Sequence, residues 1–133
     1  MAWIIGTVLA TAVGLFATGL GFDRDRAFYP TVMIVIALLY ILFAAMGASL
    51  DVLLREGMFA TAFIVAASVG FKRSLWWVAV ALAAHGLFDF THHAFVNNPG
   101  VPDWWPAFCA TYDVTAAVYL AWLIQTDRLR ARA

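Results

Sequence analysis

Five apolar stretches, parted only by short polar connections, fill almost all of this 133-residue chain: residues 3–22, 28–49, 57–71, 75–96 and 107–125. A hydrocarbon core about 30 Å thick is crossed by about 20 residues of helix, and four of the stretches are near that length. Hydrophobic residues make up 65% of the sequence and charged residues 12%, far more apolar surface than one small soluble core can bury. The pattern predicts an all-α fold, a five-span transmembrane helical bundle. No repeat, low-complexity run or linker divides it, so residues 1–133 read as a single domain. The third stretch is short and follows a charged segment, residues 51–56. It is expected to recruit residues 50–54 as an interfacial turn, to cross a thinned bilayer or to be covered by its neighbours. A four-span arrangement with a re-entrant third segment is the alternative.

The charges test the count independently. Lys and Arg accumulate in cytoplasmic loops, whereas Asp and Glu contribute little to orientation. With five spans and the C-terminus inside, the cytoplasmic face receives Arg24, Arg26, Lys72, Arg73, Arg128, Arg130 and Arg132, leaving only Arg55 outside. Removing the third span would put Arg24 and Arg26 opposite Lys72 and Arg73. The predicted topology is therefore N-terminus out and C-terminus in. Eight basic residues balance eight acidic ones, which removes the electrostatic footprint of a nucleic-acid binder. A lone cysteine, Cys109, excludes an intrachain disulfide and any CxxC motif.

Aromatic residues fit this frame, because Trp and Tyr favour the interface where the ring is buried and the polar atom is wet. Trp76, Trp77 and Tyr29 are placed at the inner face, and Trp3, Trp104 and Trp105 at the outer. No basic segment precedes the first apolar run and no cleavage pattern follows it, so that run is expected to remain as a span. Gly6, Ala10, Gly14 and Thr18 recur every four residues as a ridge where another backbone can approach. Ala44 with Ala48, and Ala79 with Ala83, repeat that spacing. The run Asp23, Arg24, Asp25, Arg26 reads as a solvated, self-paired loop before the helix that Pro30 opens. A lipid head-group contact by Arg24 or Arg26 is the sharper alternative.

The fourth and fifth stretches break the rule that ionisable residues sit in loops. The string HGLFDFTHH (85–93) holds all three histidines and an aspartate. At about 100° per residue, with His85 at zero, Asp89 falls near 40°, His92 near −20° and His93 near 80°. Such a one-sided cluster must face the bundle or a wet cavity, since an unpaired charge in hydrocarbon costs several kcal/mol. The connection over residues 97–106 is short and turn-forming, which makes the last two helices antiparallel neighbours. Counted inward from it, Asp89 and Asp113 lie level, each about 10 Å deep. Cys109, Tyr112 and Asp113 share one face of the fifth helix, able to meet the histidine face.

Three chemistries suit the set. Imidazole, carboxylate and thiolate are ordinary ligands of a divalent transition metal such as zinc. The candidates are His85, Asp89, His92, His93, Asp113 and Cys109, with Tyr112 as a further polar group. The minimal set is Asp89 with His85 or His93, completed by Asp113 and Cys109. A metal-free proton relay is the second chemistry, and a set of hydrogen bonds holding two helices in register the third. Haem is disfavoured because every histidine is on one helix. No serine lies near the cluster to serve as a nucleophile.

The strings GFDRDRAFYPT (21–31), HGLFDFTHH (85–93) and NNPGVPDWWPAFCATYD (97–113) resemble those of a family of small five-helix bacterial integral membrane proteins grouped only as a domain of unknown function. The resemblance covers nearly the whole chain and implies a bacterial inner-membrane protein. It carries no activity and no catalytic residue. The cluster also invites comparison with alkaline ceramidases, which hold zinc with histidines and aspartate. Their motifs are spread over seven helices and include a serine, and this sequence matches neither feature. The leading functional expectation is an intramembrane His/Asp site on the fourth and fifth helices that binds a divalent metal or relays protons, for a lipid-related reaction or for transport. The competing one is a non-catalytic accessory subunit of a larger membrane complex, or a pigment- or quinone-binding protein. Beyond the bilayer, the expected partners are a second copy of the chain or such a complex, and not nucleic acid.

Overall fold

In a computed structural model the described residues, 1–129, form five helices: α1 (Ala2–Leu20), α2 (Phe28–Gly47), α3 (Leu50–Lys72), α4 (Leu75–Phe95) and α5 (Trp105–Gln125). Arg130 and Arg132, assigned above to the basic C-terminal end, lie outside the described residues. Helices α1, α2, α3 and α5 are each long and apolar enough to cross a membrane. Helix α4 equals α5 in length, at 21 residues, and carries the buried polar side chains.

The third helix departs most from expectation. It starts at Leu50 and runs 23 residues without interruption, in place of the short span over residues 57–71. Ser49 caps it, its hydroxyl accepting from the Val52 amide at 3.4 Å, which satisfies one of the free amides of a helix start. Asp51 sits in the first turn, where the helix dipole favours a negative charge, and it pairs with Arg55 at 3.0 Å. The charged segment thus belongs to the helix. Its last acid, Glu56, heads a buried stripe continued by Ala60, Ala67 and Gly70.

Helix α1 packs chiefly on α5, α5 on α4, and α2 on α3, while α4 also meets α3 and α2. The small-residue ridge of α1 is spent inside the bundle. A Cβ on Gly6 would overlap the Phe108 carbonyl and the Thr111 hydroxyl, and one on Gly14 would stand 2.9 Å from the Tyr119 ring. Thr18 closes the ridge by a 2.8 Å hydrogen bond with the Tyr119 hydroxyl. Close approach is what gives such an interface its dispersion energy in a lipid solvent.

Loops tie the ends. Arg26 donates from Nε to the Phe71 carbonyl at 2.9 Å and from Nη2 to the Gly70 carbonyl at 3.1 Å, joining the α1–α2 connection to the end of α3. At the opposite end Asn98, in the α4–α5 connection, reaches Glu56 and the Tyr40 carbonyl. The 23–26 run is consequently not self-paired: Asp23 is buried and accepts from Thr18 at 2.5 Å, and Asp25 accepts from the Ala27 amide at 2.8 Å. Tyr29 is likewise no interfacial anchor, being buried in the core against Phe28.

Candidate metal centre

Helix α4 turns one stripe toward the bundle. Val78 and Leu82 supply its apolar half, and His85, Asp89 and His92 its polar half, all buried. The 4-3-4-3 spacing of these five positions keeps them on a single face. Gly86 lets α5 come close beside that face, since a Cβ there would stand 2.9 Å from the Val114 side chain and 3.0 Å from the Ala110 carbonyl.

Across this interface His85 Nδ1 lies 2.6 Å from Asp113 Oδ2 and 3.5 Å from Asp89 Oδ2. Tyr40 reaches in from α2 and donates to Asp89 Oδ1 at 2.6 Å. The Cys109 sulfur stands 3.9 and 4.0 Å from the two oxygens of Asp113. One ligand atom from each of His85, Asp89, Cys109 and Asp113 falls within 4.8 Å of the other three, and all four residues are buried. Ligands of a tetrahedral zinc at about 2.0–2.3 Å stand roughly 3.3–3.8 Å apart. Closing on an ion therefore asks for side-chain shifts of about 1 Å.

Two features of the group call for a cation. Asp89 Oδ2 is buried with no hydrogen-bond partner, which is costly for a carboxylate oxygen away from water. Two carboxylates also sit together where the dielectric is low. One imidazolium balances one of them, whereas a divalent ion beside a neutral imidazole balances both, with one negative charge in excess once Cys109 ligates as the thiolate.

His85, Asp89, Cys109 and Asp113 are thus brought together, and the other sequence candidates are not. His92 turns to the opposite side of the stripe, where Nε2 lies 2.8 Å from Glu56 Oε1 and its ring stacks on Tyr40 at 4.0 Å. His93 shares the arc but lies in the last turn of α4 and is exposed. Tyr112 is half-buried and lines an apolar groove beyond Cys109. Angle on one helix locates a face; it does not choose among the neighbours that the face meets.

Three participants escaped the sequence reading. Glu56 accepts from Asn98 Nδ2 at 2.9 Å as well as meeting His92. Asn98 also donates to the Tyr40 carbonyl at 3.2 Å and accepts from the Gly100 amide at 3.1 Å. Tyr40 joins both halves, by its hydroxyl to Asp89, its ring to His92 and its carbonyl to Asn98. The result is a polar chain running from the α4–α5 connection through Glu56, His92, Tyr40, Asp89 and His85 to Asp113.

No protein-family model matches the chain, and neither a curated protein nor a solved structure does. The chemistry of the site is therefore argued from its own geometry.

Proposed function

We propose that the protein is a five-span protein of the bacterial inner membrane in which His85, Asp89, Cys109 and Asp113 bind one divalent transition metal, zinc by its donor set, for a step on a lipid-like molecule or for transport. The observation that carries this reading is the convergence of four buried ligand atoms from two helices within 4.8 Å, one of them a carboxylate pair member whose second oxygen has no partner. Mixed nitrogen, oxygen and sulfur donors suit zinc better than magnesium or calcium, which prefer oxygen alone. Crossing by α4 is supported by its length, about 31 Å at 1.5 Å per residue. The orientation, with the N-terminus out and the C-terminus in, is supported by Arg24, Arg26, Lys72, Arg73 and Arg128 lying at or beyond helix ends on one side and by Arg55 lying near the start of α3 on the other. The bacterial setting rests on the family resemblance of the three strings quoted above.

Metal analysis of the purified chain tests it. One ion per chain is expected, with removal by a chelator lowering the melting temperature, and with Asp89→Asn and Asp113→Asn each abolishing stoichiometric binding. Absence of stoichiometric metal, with stability unchanged in Asp89→Ala and Asp113→Ala, would overturn the reading. A second reading, metal-free proton handling, is favoured by the two 2.6 Å bonds at Tyr40–Asp89 and His85–Asp113, separate pairs that meet at the 3.5 Å contact of His85 with Asp89 Oδ2. The same metal analysis separates the two.

A further inference from the structure

Helices α1 and α2 follow one another in sequence, yet α1 docks on α5 and α2 on α3. The gap between them is a groove of about 510 Å³, floored by α5. Its walls are apolar: Leu9 from α1, Val32, Val35 and Leu39 from α2, and Phe108 from α5. Along α2 it extends from Phe28 to Leu39, about 16 Å of helix, which is about half of a 30 Å hydrocarbon core. Its floor is the first two turns of α5, from Trp105 to Tyr112, at the end of the bundle opposite Phe22 and Ala27, so the slot follows most of this wall. Being apolar it cannot favourably hold water, and for a membrane-spanning bundle what surrounds it is hydrocarbon.

One end of the groove adjoins the α1–α2 connection. Phe22 and Ala27 line it there, and between them in the chain stands Arg24, exposed and with no carboxylate within 4 Å among the described residues. Its neighbours in the loop are committed: Asp23 to Thr18, Asp25 to the Ala27 amide, and Arg26 to the carbonyls ending α3. Gly21 takes a left-handed turn with φ of 85°, and the Arg24 side chain lies over it, its Nε 2.9 Å from where a Cβ would stand. The Arg24 side chain thus lies at the C-terminal end of α1, over Gly21, whose chain neighbour Phe22 lines the groove. We propose that this groove holds an acyl chain of one anionic phospholipid and that Arg24 meets its phosphate.

Guanidinium pairs with phosphate through a planar fork of donors, and a basic side chain at an anionic lipid surface is worth about 1 kcal/mol, a roughly five-fold preference over a zwitterionic lipid. The occupant would lie over Cys109, which lines the same groove; the proposal does not rest on a metal being bound there. The full chain is reconstituted in vesicles of equimolar phosphatidylglycerol and phosphatidylcholine, extracted in mild detergent and weighed by native mass spectrometry. The wild type is expected to retain one lipid per chain, with phosphatidylglycerol favoured roughly five-fold. Val35→Trp, which fills the groove from an exposed position, should abolish retention, whereas Leu38→Trp, on the same helix outside the groove, should not. Thr31→Phe serves as the second filling variant if Val35→Trp does not fold. Arg24→Gln should keep one lipid and lose the preference. Retention in the folded filling variants equal to that of the wild type overturns the groove assignment, and an undiminished preference in Arg24→Gln overturns the phosphate contact.

Discussion

Against α1, helix α5 presents the Phe108 carbonyl, Thr111 and Tyr119 to a row of glycine, alanine and threonine; against α4, it presents Cys109 and Asp113 to His85 and Asp89. Both contacts are extensive, and they specify position by different physics. The α1 face works by shape, since removing side chains at Gly6 and Gly14 lets two backbones approach and gains dispersion contacts that lipid would not supply. The α4 face works by charge and hydrogen bonding, where a satisfied pair holds the register and an unsatisfied one is expensive. A structural role explains the first face completely. It leaves over Asp89 Oδ2 in the second, which has no hydrogen bond and only the His85 ring 3.5 Å away.

The comparison can be broken most forcefully at Asp113. Asp113→Ala strips His85 of its 2.6 Å partner inside a fully buried site, and removing one member of such a pair is expected to cost about 3–5 kcal/mol. Denaturant titration in mixed micelles measures the loss, and metal content should fall to zero with it. Gly6→Val attacks the other face. Overpacking of this kind costs about 1–3 kcal/mol, and the near-overlap with the Phe108 carbonyl places it at the upper end. Metal content per folded chain should be unchanged. Loss of metal in Gly6→Val would show that the two faces of α5 are not independent.

Tyr40→Phe sharpens the comparison within the polar face. It deletes the 2.6 Å donor to Asp89 without opening a cavity, and a buried hydrogen bond to a charged acceptor is worth about 2 kcal/mol. If the metal is carried by the four named ligands, the variant still binds one ion per chain, and adding the ion restores part of the stability. Metal loss equal to that of Asp113→Ala would make Tyr40 part of the ligand set and overturn its assignment as a supporting donor.

Element existence was legible because the apolar runs announce spans by length alone, and the boundaries of α1, α2, α4 and α5 fall within about two residues of the runs, the scatter usual at helix ends. The start of α3 was not, because three charges within residues 51–56 interrupt the apolar run, and the Ser49 cap shows only in the structure. Had Ser49 been taken as the start, Glu56 would have fallen in the second turn on the face of Ala60, Phe63 and Ala67, a stripe with the spacing of a buried seam. The convergence of His85, Asp89, Cys109 and Asp113 could be approached by counting depth from a short loop. The separation of His92 could not, since its partner comes from a helix remote in sequence. Tyr40 carried only a weak mark, a hydroxyl deep in an apolar run that needs an acceptor when buried.

Glu56 gives the smallest expected effect and the finest resolution of the polar chain. Its Oε1 takes both bonds, from Asn98 at 2.9 Å and with His92 at 2.8 Å, while Oε2 is buried and unpartnered. Glu56→Gln keeps a carbonyl oxygen for both donors, removes the charge and exchanges the unpartnered Oε2 for an equally unpartnered amide NH2. His92 Nδ1 also lacks a partner, and leaving a bare ring nitrogen there is cheaper than burying a second N–H with its positive charge. The substitution should cost about 1–2 kcal/mol, the difference between a charge-assisted and an ordinary hydrogen bond plus the buried amide NH2. A measured loss above about 3 kcal/mol is the signature of a broken ion pair. It would extend the charge-specified part of the bundle from the α4–α5 interface across α4 to α3.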